Sequence, residues 1–224
     1  MNDLVFNLFC DASVGPTLRG SCAGCLITRT DTNRATLTAT IQPEGTNNSG
    51  EIGAILLGVS NAVKLKMEYP NARFNLFSDS KISISAVREW IFSWINNMKD
   101  GDLYKSNGEK VMNQNYIKMI YNMIIIYNLK IHFYHQHGHI GHKFHLIPQQ
   151  FIQSNGFPLD NLGLDPSFIA ICNDAVDVST RDIINEYLKT GNTQYPIEEL
   201  YRDNDIMLIN TNEQTITKYR NLIS

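Results

Sequence analysis

The chain has 224 residues, of which 43% are hydrophobic and 18% charged, and its formal net charge is −3. This length and composition suffice for one α/β domain with additions. No apolar run reaches the roughly 20 residues that a membrane-spanning helix needs, and the first residues lack the pattern of a secretory signal. The negative net charge argues against a general polyanion binder, so any contact with nucleic acid has to be local.

The four cysteines of the chain are predicted to be free thiols. Cys22 and Cys25 form a C-x-x-C, but no second pair completes a structural zinc site. The small and apolar residues around them are typical of a strand packed closely against a neighbour. A reduced cytoplasm, in a bacterium or in a phage-infected host, is therefore the expected location.

The first part of the chain predicts an antiparallel meander followed by a helix. The apolar run Leu4–Asp11 predicts the first strand. Strand-like runs over residues 22–29 and 35–42 flank a turn at residues 30–33. Apolar residues at helical spacing then predict a helix over about 51–67.

The rest of the chain alternates helices and strands. It predicts a fourth strand, two helices, a fifth strand and a last long helix, over residues 74–78, 81–97, 114–127, 129–135 and 174–189. A meander joined to alternating α and β elements predicts an α/β fold, in which a mixed five-stranded sheet is flanked by helices.

Two segments are predicted as additions to this fold. Residues 143–170 are rich in Pro and Gly and predict a long loop insertion. The domain is expected to span residues 1–190, and residues 191–224 form a C-terminal extension.

Four carboxylates lie where these predicted elements begin or end. Asp11 closes the first strand, Asp79 follows the fourth, Glu51 opens the first helix, and Asp177 lies in the last long helix. Each has a structural interpretation of its own, since Asp is common in turns and Glu is favoured in the first turn of a helix. Their recurrence favours the hypothesis that the four meet at one point.

All six histidines lie within residues 131–146. On an extended strand His135, His137 and His139 would share one face, which leaves a zinc site as one hypothesis. The closed ligand set that such a site needs is not visible in the sequence. A surface turn is the alternative interpretation of His139, which lies between Gly138 and Gly141.

Five local motifs occur in order along the chain. They are L-F-C-D-A-S, T-N-N-S-G-E-I, F-S-D-S-K, G-H-I-G-H and N-D-A-V-D, which carry Asp11, Glu51, Asp79, His139 and Asp177. Taken together, they resemble the motifs of the type 1 ribonuclease H family, whose members cut the RNA strand of RNA–DNA hybrids. The stretch R-E-W-I-F-S-W-I-N also resembles the helix that leads into the substrate-binding handle of the family. The resemblance implies the ribonuclease H-like fold.

The resemblance also implies a metal-dependent endonuclease that leaves 5′-phosphate and 3′-hydroxyl ends. Asp11, Glu51, Asp79 and Asp177 would be catalytic and hold two Mg²⁺ ions, with Mn²⁺ able to substitute. Carboxylates suit this task, because hard divalent ions prefer oxygen ligands and two ions can act on both oxygens of a displacement. His139 would be the catalytic histidine, a group able to move protons near neutral pH.

The resemblance further implies substrate contacts at Asn47 and Asn48 in the minor groove of the hybrid, and at Lys81 and Trp94 on the DNA strand. Trp94 could equally serve packing. The handle departs from the family, because residues 99–118 hold four lysines against three acidic residues. This mixture puts tight binding of the hybrid in doubt.

Two other functions remain open at this point. One is another nuclease of the same superfold that acts on DNA, since fold alone does not fix the substrate. The other is an inactive domain that binds nucleic acid or protein, although all four carboxylates are present. We expect a monomer without membrane contact whose C-terminal extension offers a surface for a protein partner.

Overall fold

The computed structural model describes residues 4–16, 20–140, 162–191 and 212–224. Five strands form one sheet: β1 (Val5–Val14), β2 (Ser21–Arg29), β3 (Ala35–Gln42), β4 (Arg73–Ser78) and β5 (Ile131–His135). Their order is β3-β2-β1-β4-β5. The pairs β1–β2 and β2–β3 are antiparallel, whereas β1–β4 and β4–β5 are parallel. The predicted mixed five-stranded sheet is thereby confirmed.

The helices cover both faces of this sheet. They are α1 (Asn47–Glu68), α2 (Lys81–Ser85), a π-helical turn (Ala86–Trp90), α3 (Ile91–Asn96), α4 (Gln114–Ile126), α5 (Pro166–Thr190) and α6 (Glu213–Ile223). None of the helices within the described ranges combines the length and the apolar composition needed to cross a membrane.

Alternation along β1 supplies residues to two hydrophobic cores, because successive side chains of a strand point to opposite faces. Phe6, Leu8 and Cys10 pack in the main core, together with residues from α1, α3, α4 and α6. Phe9 faces the other side, where it stacks on Phe77 with ring centroids 4.9 Å apart and packs with α5. The sheet is therefore buried between two layers.

The two central parallel strands are linked by a buried polar contact. Asn7 of β1 and Asn75 of β4 lie opposite each other in the register. Nδ2 of Asn75 donates a hydrogen bond of 2.9 Å to Oδ1 of Asn7, and both residues are buried. The pair satisfies two amide groups that would be costly to bury alone.

The helix predicted over 81–97 contains a π-helical turn that the sequence pattern did not indicate. The turn over Ala86–Trp90 rotates the helix face. Apolar residues at helical spacing favour one buried face for this helix. Val87, Ile91 and Trp94 are buried, whereas Trp90 is 42% exposed.

The last long helix begins eight residues before its predicted start at Asp174. Asp165 caps α5 by accepting a hydrogen bond from the backbone N–H of Ser167, and Pro166 occupies the first turn. Proline suits this position, because its missing N–H has no partner in the helix there. Most of the predicted insertion over 143–170 lies outside the described residues.

The C-terminal helix α6 packs into the main core. Tyr219 is fully buried, its ring centroid lies 4.6 Å from that of Tyr121, and its hydroxyl donates a hydrogen bond to the carbonyl of Val87. The predicted division at residue 190 stays a prediction, and residues 192–211 of the predicted extension lie outside the described ranges.

The four cysteines are free and buried. Cys22 and Cys25 lie in β2 as predicted, and burial raises the pKa of the Cys22 thiol to about 12. The cytoplasmic location expected from these thiols stays a prediction.

Candidate active site

The parallel pairing of β1 and β4 brings two of the predicted carboxylates to the same edge of the sheet. Asp11 lies in β1, three residues before its end, and Asp79 follows the last residue of β4. Carboxyl ends of parallel strands meet at one edge of a sheet, which is where α/β folds commonly bind ligands. Asp11 is only 3% exposed.

Glu51 reaches this edge from α1. Thr46 caps the helix: its Oγ1 accepts from the N–H of Ser49, and Oγ of Ser49 accepts from the N–H of Thr46. This reciprocal arrangement satisfies free donors of the first turn, so α1 begins at Asn47. Glu51 therefore lies in the second turn, and its predicted place in the first turn is wrong.

Asp11, Glu51 and Asp79 form a compact group in which one carboxylate oxygen of each residue lies within 4.8 Å of the others. Oδ2 of Asp11 and Oε2 of Glu51 are buried and have no hydrogen-bond partner in the described part of the chain. Buried carboxylate oxygens without a partner are costly. This donor set fits a divalent cation, because such ions take oxygen ligands.

The pKa values of these carboxyl groups reflect their crowding. Burial, followed by the charge of Asp79, raises the pKa of Asp11 from 3.8 to about 8. Burial and the charge of Asp11 raise the pKa of Glu51 from 4.5 to about 9. Burial also raises the pKa of Asp79. Three converging carboxylates thus favour protons, or a cation, over the free anionic state.

Asp177 borders the same cavity from α5 but lies outside this compact group. Its Oδ2 accepts a hydrogen bond from Arg181, one turn further along the helix, and lies 3.3 Å from Nδ1 of His139. Ser13 of β1 ties the helix to the sheet, because its Oγ lies 2.9 Å from Oγ1 of Thr180.

A glycine in β2 allows α5 to lie this close to the sheet. Gly24 is the register partner of Asp11. A Cβ atom at Gly24 would lie 2.5 Å from Cγ2 of Thr180 and 2.9 Å from Cγ1 of Val176. The missing side chain is therefore part of what brings Asp177 to the cavity.

His139 lies on the loop after β5. Its side chain is 72% exposed, and its backbone adopts a left-handed conformation with φ of 57°. Non-glycine residues seldom adopt this conformation, and histidine is one of the residue types enriched in it. The preceding Gly138 packs against the Asp79 carboxylate, so the loop is fitted to the site.

The carboxylates open onto a cavity of about 490 Å³. It is lined by the five residues predicted as catalytic, by Asn47, and by two residues that the sequence analysis missed, Arg181 and Asn185. These two follow Asp177 at intervals of four residues, a spacing that places side chains on one face of a helix. That spacing could have indicated from the sequence that Arg181 and Asn185 lie on the same helix face as Asp177.

Two of the other predicted substrate-binding residues line a neighbouring groove, and the third, Lys81, does not. Asn48 and Trp94 line it together with the exposed Trp90, and Lys81 is exposed at the start of α2. Trp94 is only 9% exposed and belongs to the main core. Packing therefore accounts for most of the Trp94 side chain.

Two lysines of the connection between α3 and α4 form ion pairs with acidic residues of the same segment. Nζ of Lys105 lies 2.9 Å from Glu109, and Nζ of Lys110 lies 2.7 Å from Asp102. Lys118 is buried and donates to the carbonyl of Gly101. The segment thus presents less free positive charge than its lysines alone indicate.

The zinc hypothesis finds no support among the described residues. β5 ends at His135, so His137 and His139 do not continue an extended strand. The group of potential metal ligands found in the described ranges contains carboxylates and no histidine.

Comparisons with known proteins agree with this architecture. The sequence model of the RNase H family matches residues 3–149, a range that includes the three clustered carboxylates and His139 but not Asp177. Among curated proteins, no sequence matches the chain.

Solved structures show the same fold. The chain is similar to the solution structure of the PFV RNase H domain, with a TM-score of 0.54 and 13% identity over 81% of this chain and 95% of that chain. LC9-RNase H1, a type 1 RNase H with the type 2 active-site motif, also matches, with a TM-score of 0.47 and 16% identity over 69% of this chain and 75% of that chain. Because the match to the family model covers more than half of the residues of this chain, the chain belongs to the RNase H family.

Proposed function

We propose that this protein is an endonuclease that hydrolyses the RNA strand of RNA–DNA hybrids and leaves 5′-phosphate and 3′-hydroxyl ends. The observation that carries the proposal is the compact group of Asp11, Glu51 and Asp79, whose oxygens lie within 4.8 Å of one another in a chain of the RNase H family.

Asp11, Glu51, Asp79 and Asp177 would hold two Mg²⁺ ions, for which Mn²⁺ can substitute. Bound divalent ions neutralise charge on the attacking and leaving oxygens of a phosphodiester. The buried oxygens of Asp11 and Glu51 without hydrogen-bond partners are the donors best prepared for this role. Asp177 is 7% exposed and borders the cavity from its other side.

His139 is proposed to move the proton of the reaction. Water adds to phosphorus, the bond to the 3′ oxygen breaks, and in net one proton passes from the water to that oxygen. Nδ1 of His139 faces Asp177 at 3.3 Å, which leaves Nε2 for this exchange. An exposed imidazole on a loop can approach the substrate and withdraw when product leaves.

Asn47 and Asn48 are proposed to contact 2′-hydroxyls, since double-stranded RNA-like helices are recognised across the minor groove. Both are exposed at the start of α1, and Asn47 lines the carboxylate cavity. Lys81 and the exposed edge of Trp94 are proposed to contact the DNA strand. The paired lysines of the segment between α3 and α4 predict weak binding of the hybrid.

The test is cleavage of a labelled RNA–DNA hybrid with Mg²⁺, beside single-stranded RNA and duplex DNA. We expect the RNA strand of the hybrid alone to be cut, and EDTA or Asp79→Asn to abolish the cut. Asp31→Asn is a matched control, because Asp31 is an exposed carboxylate paired with Arg29. Cleavage of duplex DNA would instead support a DNA nuclease, and no cleavage of any substrate would support a binding domain.

A further inference from the structure

Arg181 neutralises one of the four carboxylates of the cavity. It lies one helical turn after Asp177 on α5, at the spacing that favours ion pairs, and its guanidinium donates to Oδ2 of Asp177. The same oxygen lies 3.3 Å from Nδ1 of His139. Oδ2 of Asp177 is therefore already surrounded by nitrogen donors.

The other three carboxylates are in a different state. Oxygens of Asp11 and Glu51 are buried without a hydrogen-bond partner within the described residues, and these two residues cluster with Asp79. Asp177 lies outside this cluster, although its charge raises the pKa of Asp11. The charge of Arg181 acts in the opposite direction on Asp11 and lowers its pKa. Among the described residues, the cavity thus contains three carboxylates without an ion pair to Lys or Arg and one, Asp177, that is paired with Arg181.

We infer that Arg181 is a displaceable counter-ion that a second divalent cation must remove from Asp177. This inference rests on the proposed function, in which two cations bind in this cavity. The first cation binds at Asp11, Glu51 and Asp79, where no ion pair with a described Lys or Arg has to break. The second needs Asp177, so Arg181 sets the affinity of that second position.

Exposure and charge allow Arg181 to leave. Its side chain is 52% exposed, whereas that of Asp177 is 9% exposed, so the guanidinium can turn into water while the carboxylate stays. Asp174 and Asp182 act on Arg181 electrostatically from the same helix. Their carboxylates can attract the Arg181 guanidinium after it leaves Asp177.

The experiment is a titration of the full chain with Mn²⁺, followed by the paramagnetic signal of the free ion and by calorimetry. In the wild-type protein we expect two binding steps. Arg181→Gln should strengthen the second step by about tenfold, because one positive charge next to the site is lost, and should change the first step much less. Arg181→Lys keeps the charge and should resemble the wild type.

Lys189→Gln is a matched control, because it removes one positive charge from an exposed position of the same helix that does not line the cavity. It should leave both steps unchanged. The inference is wrong if Arg181→Gln leaves the second step unchanged, if it changes both steps equally, or if the wild type and the variant both bind Mn²⁺ in a single step.

A measurement on the wild-type protein covers the case in which Arg181→Gln does not fold. In a titration with Mg²⁺, which is diamagnetic and does not broaden nearby signals, the Nε–Hε resonance of Arg181 should shift during the second binding step and not during the first. A shift that follows the first step, or no shift at all, contradicts the inference. If the wild type binds no Mn²⁺, the proposed metal-dependent function fails as well, whereas hybrid cleavage with an unmoved Arg181 overturns this inference alone.

Discussion

A Cβ atom on Gly138 would lie 1.9 Å from Oδ2 of Asp79. The loop that carries His139 therefore packs directly on a carboxylate of the cluster, with no room for even a methyl group. This contact joins two parts of the proposed site that come from different elements, the end of β4 and the histidine loop after β5.

Gly138→Ala should displace the Asp79 carboxylate, the His139 loop, or both. Because misplacement by about 1 Å can cost about 100-fold in rate, we expect hybrid cleavage to fall by about that factor. The melting temperature should change little, since the loop is half-exposed. Cleavage at the wild-type rate with an unchanged fold would show that the loop does not contact Asp79 in solution.

The pKa values of the cluster predict that the metal-free protein loses stability as the pH rises. Asp11 and Glu51 have pKa values of about 8 and about 9 in the folded protein, against 3.8 and 4.5 as reference values. Between these limits the folded state holds protons that the unfolded chain has released, so the free energy of unfolding falls as the pH increases.

Melting temperatures in EDTA between about pH 5 and about pH 9 test this dependence. We expect a steady decrease, which Asp11→Asn should make shallower because one crowded carboxylate is gone. Saturating Mg²⁺ should oppose the decrease, since a bound cation replaces the protons and stabilises the folded state. A melting temperature that rises with pH in EDTA would contradict the prediction.

His139→Ala should slow the chemical step and leave the cation sites largely intact. General acid–base catalysis contributes about 100-fold or more, so we expect a comparable loss in kcat, with the first Mn²⁺ binding step unchanged. His137→Ala is the control, because His137 lies on the same loop without lining the carboxylate cavity. Equal losses in the two variants would indicate a general effect on the loop.

Tyr219→Phe should destabilise the protein without affecting the site. The Tyr219 hydroxyl donates to the carbonyl of Val87, and both residues are buried, so its removal leaves an acceptor without its partner at a cost of about 1–2 kcal/mol. Urea denaturation should show this loss, whereas Tyr127→Phe, at a more exposed tyrosine, should have little effect. An unchanged unfolding midpoint for Tyr219→Phe would mean that α6 is not docked in solution.

Much of the fold followed from patterns that are local in the sequence. Apolar and strand-like runs predicted the five strands, and apolar residues at helical spacing predicted the helices that contain Ile55 and Ile91, because both patterns are properties of single elements. The start of α1 was missed because the mutual capping of Thr46 and Ser49 begins the helix at Asn47, before its first apolar residue at the predicted spacing. The exposed Trp90 was missed because a π-helical turn changes the phase of a helix without any Gly or Pro.

The site was predictable only in part, because several of its features depend on contacts between elements that are distant in the sequence. The sequence motifs identified the carboxylates, but the burial that raises the pKa of Glu51 depends on which elements surround it. The pairing of Arg181 with Asp177 follows from helical spacing, yet whether that side chain faces the cavity depends on how closely α5 lies against Gly24. Such contacts arise between distant elements and leave no local pattern.

The buried hydrogen bond between Asn7 and Asn75 favours the strand register on which the proposed site depends. If β4 paired with β1 one residue out of register, Asp79 would move by about 3.3 Å along the sheet and its neighbours would turn to the opposite face. The same error would leave two amides buried without their partners, so the misregistered pairing would be penalised before any cation or nucleic acid is present. The pairing of β1 with β4 thus determines the separation of Asp11 and Asp79. A ligand binds at a site whose spacing is set before it arrives.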